Sequence, residues 1–371
     1  MRILLDYRPA LRQPTGVGAY IHETARALVD TAPPDETVVL FSASWRDRLA
    51  PDVVPPLRTI DRRISVRLLN LAWHRLEWPT VERLTGDRFD VVQAAHPLLL
   101  PSRHAARLVT VHDLDFLDHP ERTTAEIRRD YPRLAATHAR RADQVVVVST
   151  ETAREVEHRL GVPSSHITVC PLGAPAWVPR EGPPVRDGCL LFLGTLEPRK
   201  NLDVLLDAYS RMLAADPTIP PLVLAGGAGP AADGICARAR RPPLAGHVEL
   251  PGYVSEAGKR ALFDRALVFV LPSHAEGFGM PAVEAMTAGV PVVAANRGAL
   301  PTTVGPAGAL FEPDDDAGLA QLLTSILASP ARQQAMRDAG LRQAAGFTWR
   351  QTAARLRDAW HLAQAHRAAR G

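Results

Sequence analysis

Apolar residues in this chain fall into short runs separated by stretches with helical spacing. In the first half, runs at residues 3–5, 37–41, 90–93, 107–111 and 144–148 read as strands. A mainly apolar run of this kind marks a buried strand. Between the first two runs, Ile21, Ala25 and Leu28 recur at the three- and four-residue steps of one helix face. A stretch dense in proline and glycine, residues 171–184, then interrupts the pattern and reads as a linker. Alternation resumes at 189–193 and continues through 221–224, 247–250, 267–271 and 290–295. Strand–helix alternation builds parallel sheets with helices on both faces. The chain is therefore expected to be α/β, with two doubly wound domains and a cleft between them. In such sheets ligands bind beyond the carboxyl ends of the strands.

The densest chemistry lies between the last two runs. Glu276 and Glu284 stand with seven residues between them, around Gly277, Phe278, Gly279 and Pro281. The glycines let the backbone approach a ligand closely. Pro281 suits a helix start and Gly289 a helix stop. A helix start offers free N–H groups to an anion. Either acid alone reads as a surface or capping carboxylate. Together, between two buried strands, they point to a ligand with both an anionic part and a hydroxyl-bearing part.

Other strand ends carry candidate groups. After the run at 189–193 come Gly194, Thr195, Glu197, Arg199, Lys200 and Asn201. Asn201 suits a helix N-cap, and the two cations beside it suit a diphosphate whose charge grows as a bond breaks. His112 ends a buried run and is expected to face the cleft, as a structural or a functional imidazole. Pro14, Thr15, Gly16 and Gly18 precede the first long helix. They lie too far from the first strand, and lack the third glycine, for a dinucleotide fingerprint.

The Glu276-x7-Glu284 pattern, the Pro198-Arg-Lys-Asn201 stretch and the opening with Gly16 and Gly18 resemble family 4 retaining glycosyltransferases, most of all the mannosyltransferase-like branch. The resemblance implies the GT-B fold. It implies an N-terminal acceptor-binding domain at 1–175, a C-terminal nucleotide-sugar-binding domain at 185–351, and a last helix, 352–371, packing back on the first domain. By matching position, Glu276 contacts the donor sugar and Glu284 the nucleotide ribose, with Gly277, Phe278 and Gly279 completing that loop. Lys200 binds phosphate. Relatives often carry arginine directly after Gly194; here Thr195 stands there, so Arg199 is expected to supply the second cation. Gly16 and Gly18 approach the leaving phosphate and the acceptor, and His112 orients groups near the donor sugar. The implied reaction moves a hexose from GDP-mannose or a UDP-sugar to a glycan, lipid-linked or small-molecule hydroxyl, with retention and without a metal. Asp113 and Asp115 have the spacing of a metal pair but follow the His112 strand, in the other domain. A sugar-nucleotide epimerase or a non-catalytic sugar-nucleotide-binding protein could share this fold; Glu276, Lys200 and His112 together argue for a transferase. Replacing Glu276 by alanine is expected to stop transfer and leave the fold intact.

Composition adds exclusions. A net charge of +3 without a zinc-finger or RNP-type motif argues against nucleic acid. The three cysteines, Cys170, Cys189 and Cys236, are dispersed, as in a reducing cytoplasm. No stretch is apolar enough to span a bilayer. Residues 57–78 mix arginines with Leu, Ile and Trp, which predicts a helix packed on the first domain with its arginines in solvent. The expected location is cytoplasmic, with at most weak, salt-sensitive contact with the inner face of a membrane.

Overall fold

The computed structural model of the chain describes residues 1–11, 16–123, 125–182 and 188–370, without the side chains of 122 and 125–127. Pro14, Thr15 and the last part of the proline-rich stretch lie outside the described residues. The chain divides into two compact units, Met1–Gly173 with Thr348–Gly371, and Ala174–Phe347.

The first unit holds seven strands: β1 (Arg2–Asp6), β2 (Thr37–Ala43), β3 (Arg58–Arg62), β4 (Val91–Ala94), β5 (Ala106–Val111), β6 (Gln144–Val147) and β7 (Ile167–Val169). They form one parallel sheet in the order β3-β2-β1-β4-β5-β6-β7. The chain thus starts at the centre, winds outward through β2 and β3, then returns to the other side of β1. The helix Gly16–Asp30 buries Tyr20, Ile21, Ala25 and Leu28. The terminal helix Trp349–Arg370 belongs to this unit. Its residues Ala353, Leu356, Trp360 and Ala363 repeat at three- and four-residue steps and are fully buried. The Trp360 indole N–H donates to the Gln93 amide oxygen Oε1 on β4 at 2.7 Å, which satisfies the only polar atom of that ring.

The second unit repeats the plan with β8 (Cys189–Leu193), β9 (Leu222–Ala225), β10 (Val248–Gly252), β11 (Ala266–Leu271), β12 (Val292–Ala295) and β13 (Ala309–Phe311). Their order is β10-β9-β8-β11-β12-β13, again parallel. Each sheet reverses its winding beside its first strand, between β1 and β4 in one unit and between β8 and β11 in the other. Loops leaving two neighbouring strands diverge at such a point and open a crevice.

Three strands depart from the sequence expectation. β3, β7 and β13 were not expected, and β3 occupies the start of the basic segment at 57–78. That segment is a strand followed by the helix Val66–Leu76, not one long helix.

Candidate functional site

At the reversal point of the second sheet, the loop after β8 meets the loop after β11. Lys200 and Glu276, 76 residues apart, are joined there: Lys200 Nζ donates to Glu276 Oε1 at 2.5 Å. Arg199 Nη1 reaches Glu276 Oε2 at 3.4 Å and the Ala275 carbonyl at 3.1 Å. Ser273 Oγ adds a bond to Glu276 Oε1 at 2.8 Å. Backbone ties the loops as well, since His274 N–H donates to the Arg199 carbonyl at 2.9 Å. Glu197 accepts from Arg199 Nε at 2.7 Å and so aims the guanidinium.

Lys200 is only 5% exposed. Burial pushes the Glu276 carboxyl up, but Lys200 and Arg199, with the hydrogen bonds from Lys200 and Ser273, hold it below its usual range. Glu276 is therefore ionised and compensated. Alanine at 276 would leave the buried Lys200 ammonium without its carboxylate, so a cost in stability is expected beside the loss of transfer.

Gly279 (φ 89°) sits in the left-handed region where the loop enters the helix Met280–Thr287. A side chain there would also meet Leu300 Cδ2 at 2.6 Å, so only glycine serves. Gly277, Gly194 and Thr195 lie on these same loops, with Thr195 exposed. Phe278 lies on the same loop with its ring turned inward. Its ring is 6% exposed and packs edge-on against Phe347 at 5.4 Å, as a core wedge under the loop. Asn201 stands at the start of the helix Leu202–Ala215 but makes no side-chain cap; its amide donates to the Pro313 carbonyl at 2.8 Å.

Glu284, on the helix Met280–Thr287, is buried and accepts from Lys259 Nζ at 2.6 Å. Lys259 also reaches Glu256 at 3.0 Å and lies over the Trp177 ring at 5.5 Å. Burial raises the Glu284 carboxyl, against the pull of Lys259. Nothing in the sequence around Lys259 marks it; its pairing depends on the helix Glu256–Arg265 lying beside Glu284.

In the first unit, His112 follows β5. Burial pushes its imidazole down to about 4, against the charge of Asp113 and a backbone bond with Ala95, so it is neutral near pH 7. Its Nε2 is buried with no hydrogen-bond partner, and the Tyr20 ring meets it edge-on at 5.0 Å. An orphaned imidazole nitrogen is costly and suits a polar ligand atom. Gly18 is packed, since a Cβ there would lie 3.2 Å from the Pro9 carbonyl oxygen, whereas Gly16 has open space.

The reversal point of the first sheet carries a cluster that the sequence did not suggest. Arg8 forks onto Asp6 at 2.9 and 2.8 Å and contacts His96 Nε2 at 3.1 Å. Asp6 is fully buried; burial raises its carboxyl, but Arg8 and His96 hold it well below the usual range. Among the described residues, no three His, Cys, Asp or Glu side chains converge as a cation site.

Comparison with known proteins matches these two units to two family models. "Glycosyltransferase Family 4" covers residues 14–176 and "Glycosyl transferases group 1" covers 175–343. The chain is 29% identical to the O-antigen chain mannosyltransferase B of Escherichia coli, over 98% of this chain and all of that protein. Among solved structures it is similar to sucrose-phosphate synthase from Thermosynechococcus elongatus, with a TM-score of 0.78 and 21% identity over 97% of this chain and 98% of that one. It is also similar to Anabaena HepE in complex with UDP and glucose, with a TM-score of 0.68 and 17% identity over 96% and 98%. The structural likenesses carry the fold, which is GT-B. With the two models tiling residues 14–343, the chain belongs to the group 1 glycosyltransferases with a family 4 glycosyltransferase domain, and it is an enzyme of that class.

Proposed function

We propose that this chain transfers a hexose, with retention, from a nucleotide-diphosphate sugar held by the second unit to a hydroxyl of an acceptor taken by the first. The observation that carries this reading is the convergence of Lys200, Arg199 and Glu276 at the reversal point of the second sheet. Two cations fixed there would neutralise a departing diphosphate. Glu276 would accept hydrogen bonds from the sugar while keeping both cations in place. Glu284 would receive the ribose hydroxyls on its free oxygen, with Lys259 holding the other.

In this scheme the bond from the anomeric carbon to the diphosphate oxygen breaks, and the acceptor oxygen attacks from the same face. Its proton passes to the departing phosphate oxygen. The orphaned Nε2 of neutral His112 would orient a hydroxyl close by. Charge neutralisation falls to Lys200, Arg199 and the start of the helix Met280–Thr287, which supports a reaction without a metal. GDP-mannose is the favoured donor because the relative matched over its whole length is a mannosyltransferase. A UDP-sugar is the rival, supported by the UDP and glucose of the Anabaena structure.

A panel of GDP- and UDP-sugars, assayed for nucleotide release with and without sugar acceptors, tests this reading. Turnover of GDP-mannose alone supports the mannosyl reading, and turnover of UDP-sugars alone replaces it. Failure to bind any nucleotide sugar by calorimetry overturns the donor site itself.

A further inference from the structure

We propose that the first unit carries a second ligand site, at the amino ends of its strands, for a small phosphate monoester. A cavity of about 320 Å³ opens there, lined by Trp78, Glu82, Arg83, Arg88, Arg103 and His104. The helix Val81–Thr85 carries Glu82 and Arg83, the turn before β4 carries Arg88, and the turn before β5 carries Arg103 and His104. β4 and β5 pair in parallel, so both turns emerge on one edge of the sheet. Asp6, Arg8, His96 and His112 stand on the opposite edge, where β1, β4 and β5 end. The six residues of β5 separate the two edges by about 20 Å. The site is therefore independent of the donor and acceptor reading.

The charges lining this cavity are not balanced from within. Among the described residues no carboxylate pairs with the guanidinium of Arg83, Arg88 or Arg103. The acids nearby are engaged elsewhere. Asp87 is bridged to Arg58 at 2.9 Å and to Arg2 at 3.4 Å, and Asp90 accepts from the Arg2 backbone N–H at 2.6 Å. Glu82 accepts from the Ser102 hydroxyl and from the Arg103 backbone N–H at 3.2 Å. Burial raises the Glu82 carboxyl, but these donors hold it below its usual range, so it is ionised. Three guanidinium groups against one carboxylate leave two positive charges in excess. A phosphate monoester carries about −1.5 to −2 near pH 7 and offers three acceptor oxygens, which matches that excess. Guanidinium forks suit those oxygens. The backbone beneath is braced, because Val81 N–H donates to the Pro101 carbonyl at 2.8 Å and Arg367 of the terminal helix donates to the Arg103 carbonyl at 2.9 Å. Trp78 supplies the remaining wall. It is 52% exposed, and the Arg83 guanidinium lies 5.7 Å from its ring centre. An indole beside a phosphate seat suits an ester whose phosphate hangs from a ring, a sugar or a base, that can lie against it. The cavity is at the small end of the range for ligand pockets, which fits one phosphorylated ring and not a polymer.

Calorimetric titration of the full chain with glucose 6-phosphate, AMP and inorganic phosphate tests the proposal, with glucose and adenosine as unphosphorylated controls. At least one of the two esters is expected to bind, and which one does so identifies the ring. Arg88→Gln with Arg103→Gln should lower that affinity by roughly tenfold or more, since two charge-assisted contacts are lost. Both side chains are exposed and unpaired, so melting of the variant should not change. Nucleotide release from the sugar donor should also be unchanged in it, so a failed donor reading and a failed second site give different results. Trp78→Leu should weaken the ester and leave inorganic phosphate as it was; an unchanged ester affinity would take the ring out of the ligand and overturn the ester. Absence of binding by both esters, binding that survives the arginine variant, or sulfate bound as tightly as the esters would overturn the site.

Discussion

Lys200→Met should destabilise the second unit far more than loss of an ordinary surface lysine, and in a pH-dependent way. Lys200 Nζ lies 2.5 Å from Glu276 Oε1, and both side chains are at most 9% exposed. At that distance two unit charges attract by about 7 kcal/mol at an effective dielectric near 20, before desolvation is subtracted. Breaking a buried pair by removing one partner costs about 3–5 kcal/mol, because the other charge is left uncompensated. Arg199 at 3.4 Å and Ser273 at 2.8 Å remain on Glu276, so the lower end applies, about 3 kcal/mol. For a unit of this size that is a fall in Tm of roughly 6–12 °C. The pH dependence has a definite sign. In the wild type the folded Glu276 carboxyl is held below its usual range, so its contribution is present above the ordinary carboxylate range and is lost as pH falls through the folded value. In the variant, burial dominates and raises the folded value, so stability is instead lost as pH rises through it. The gap between the two proteins should be widest near neutrality and should shrink on acidification. Urea unfolding followed by tryptophan fluorescence at neutral and acid pH measures it. Lys200→Met combined with Glu276→Gln should recover much of the loss, since no unpaired charge remains. A gap below about 1 kcal/mol at neutral pH, the worth of an exposed pair, or one unchanged on acidification, would refute the argument.

Lys259→Met should raise the KM for the donor several-fold with a smaller effect on kcat, and the penalty should grow as pH falls. Burial already raises the Glu284 carboxyl, and without Lys259 it takes up a proton at higher pH and can no longer accept from the ribose; steady-state kinetics across pH checks this. His112→Ala should slow transfer by about tenfold, the worth of one hydrogen bond of about 1.5 kcal/mol. Because burial keeps His112 neutral down to about pH 4, the wild-type rate should show no loss from this group between pH 8 and 6, which a pH–rate profile reads directly. Activity should persist after treatment with a chelator; loss in EDTA with recovery on adding magnesium would place a cation in the reaction.

The strands that the apolar runs revealed and those they concealed differ in one physical respect. β1, β4, β5, β8 and β11 lie inside their sheets and are covered on both faces, so they appear as mainly apolar runs. The three unexpected strands, β3, β7 and β13, are all edges. β3 reads Arg-Thr-Ile-Asp-Arg and buries only Ile60. β7 buries none of its residues fully, and β13 only Phe311. A half-exposed edge needs one apolar residue at most, and no periodicity survives in so short a span.

The same distinction governs the site. Glu276, Lys200, Arg199 and His112 were legible because each sits where an apolar run stops. That these runs are neighbours was not legible. β8 and β11 are separated in the chain by two strands and three helices, yet they pair, and their pairing brings Lys200 to Glu276. Adjacency of β1 and β4 likewise joins Arg8 to His96 across 88 residues and makes a second polar cluster that no local motif announced. Once the two strand orders are known, the polar groups at both reversal points follow from one rule. In a doubly wound sheet the loops diverge beside the first strand, and the buried polar side chains placed there are satisfied by one another. Glu276, held by Lys200 and Arg199, has that arrangement. Loss of any one of the three is therefore expected to act on both stability and donor binding, because the ion pairs that satisfy the buried carboxylate are made by the groups that would receive the diphosphate.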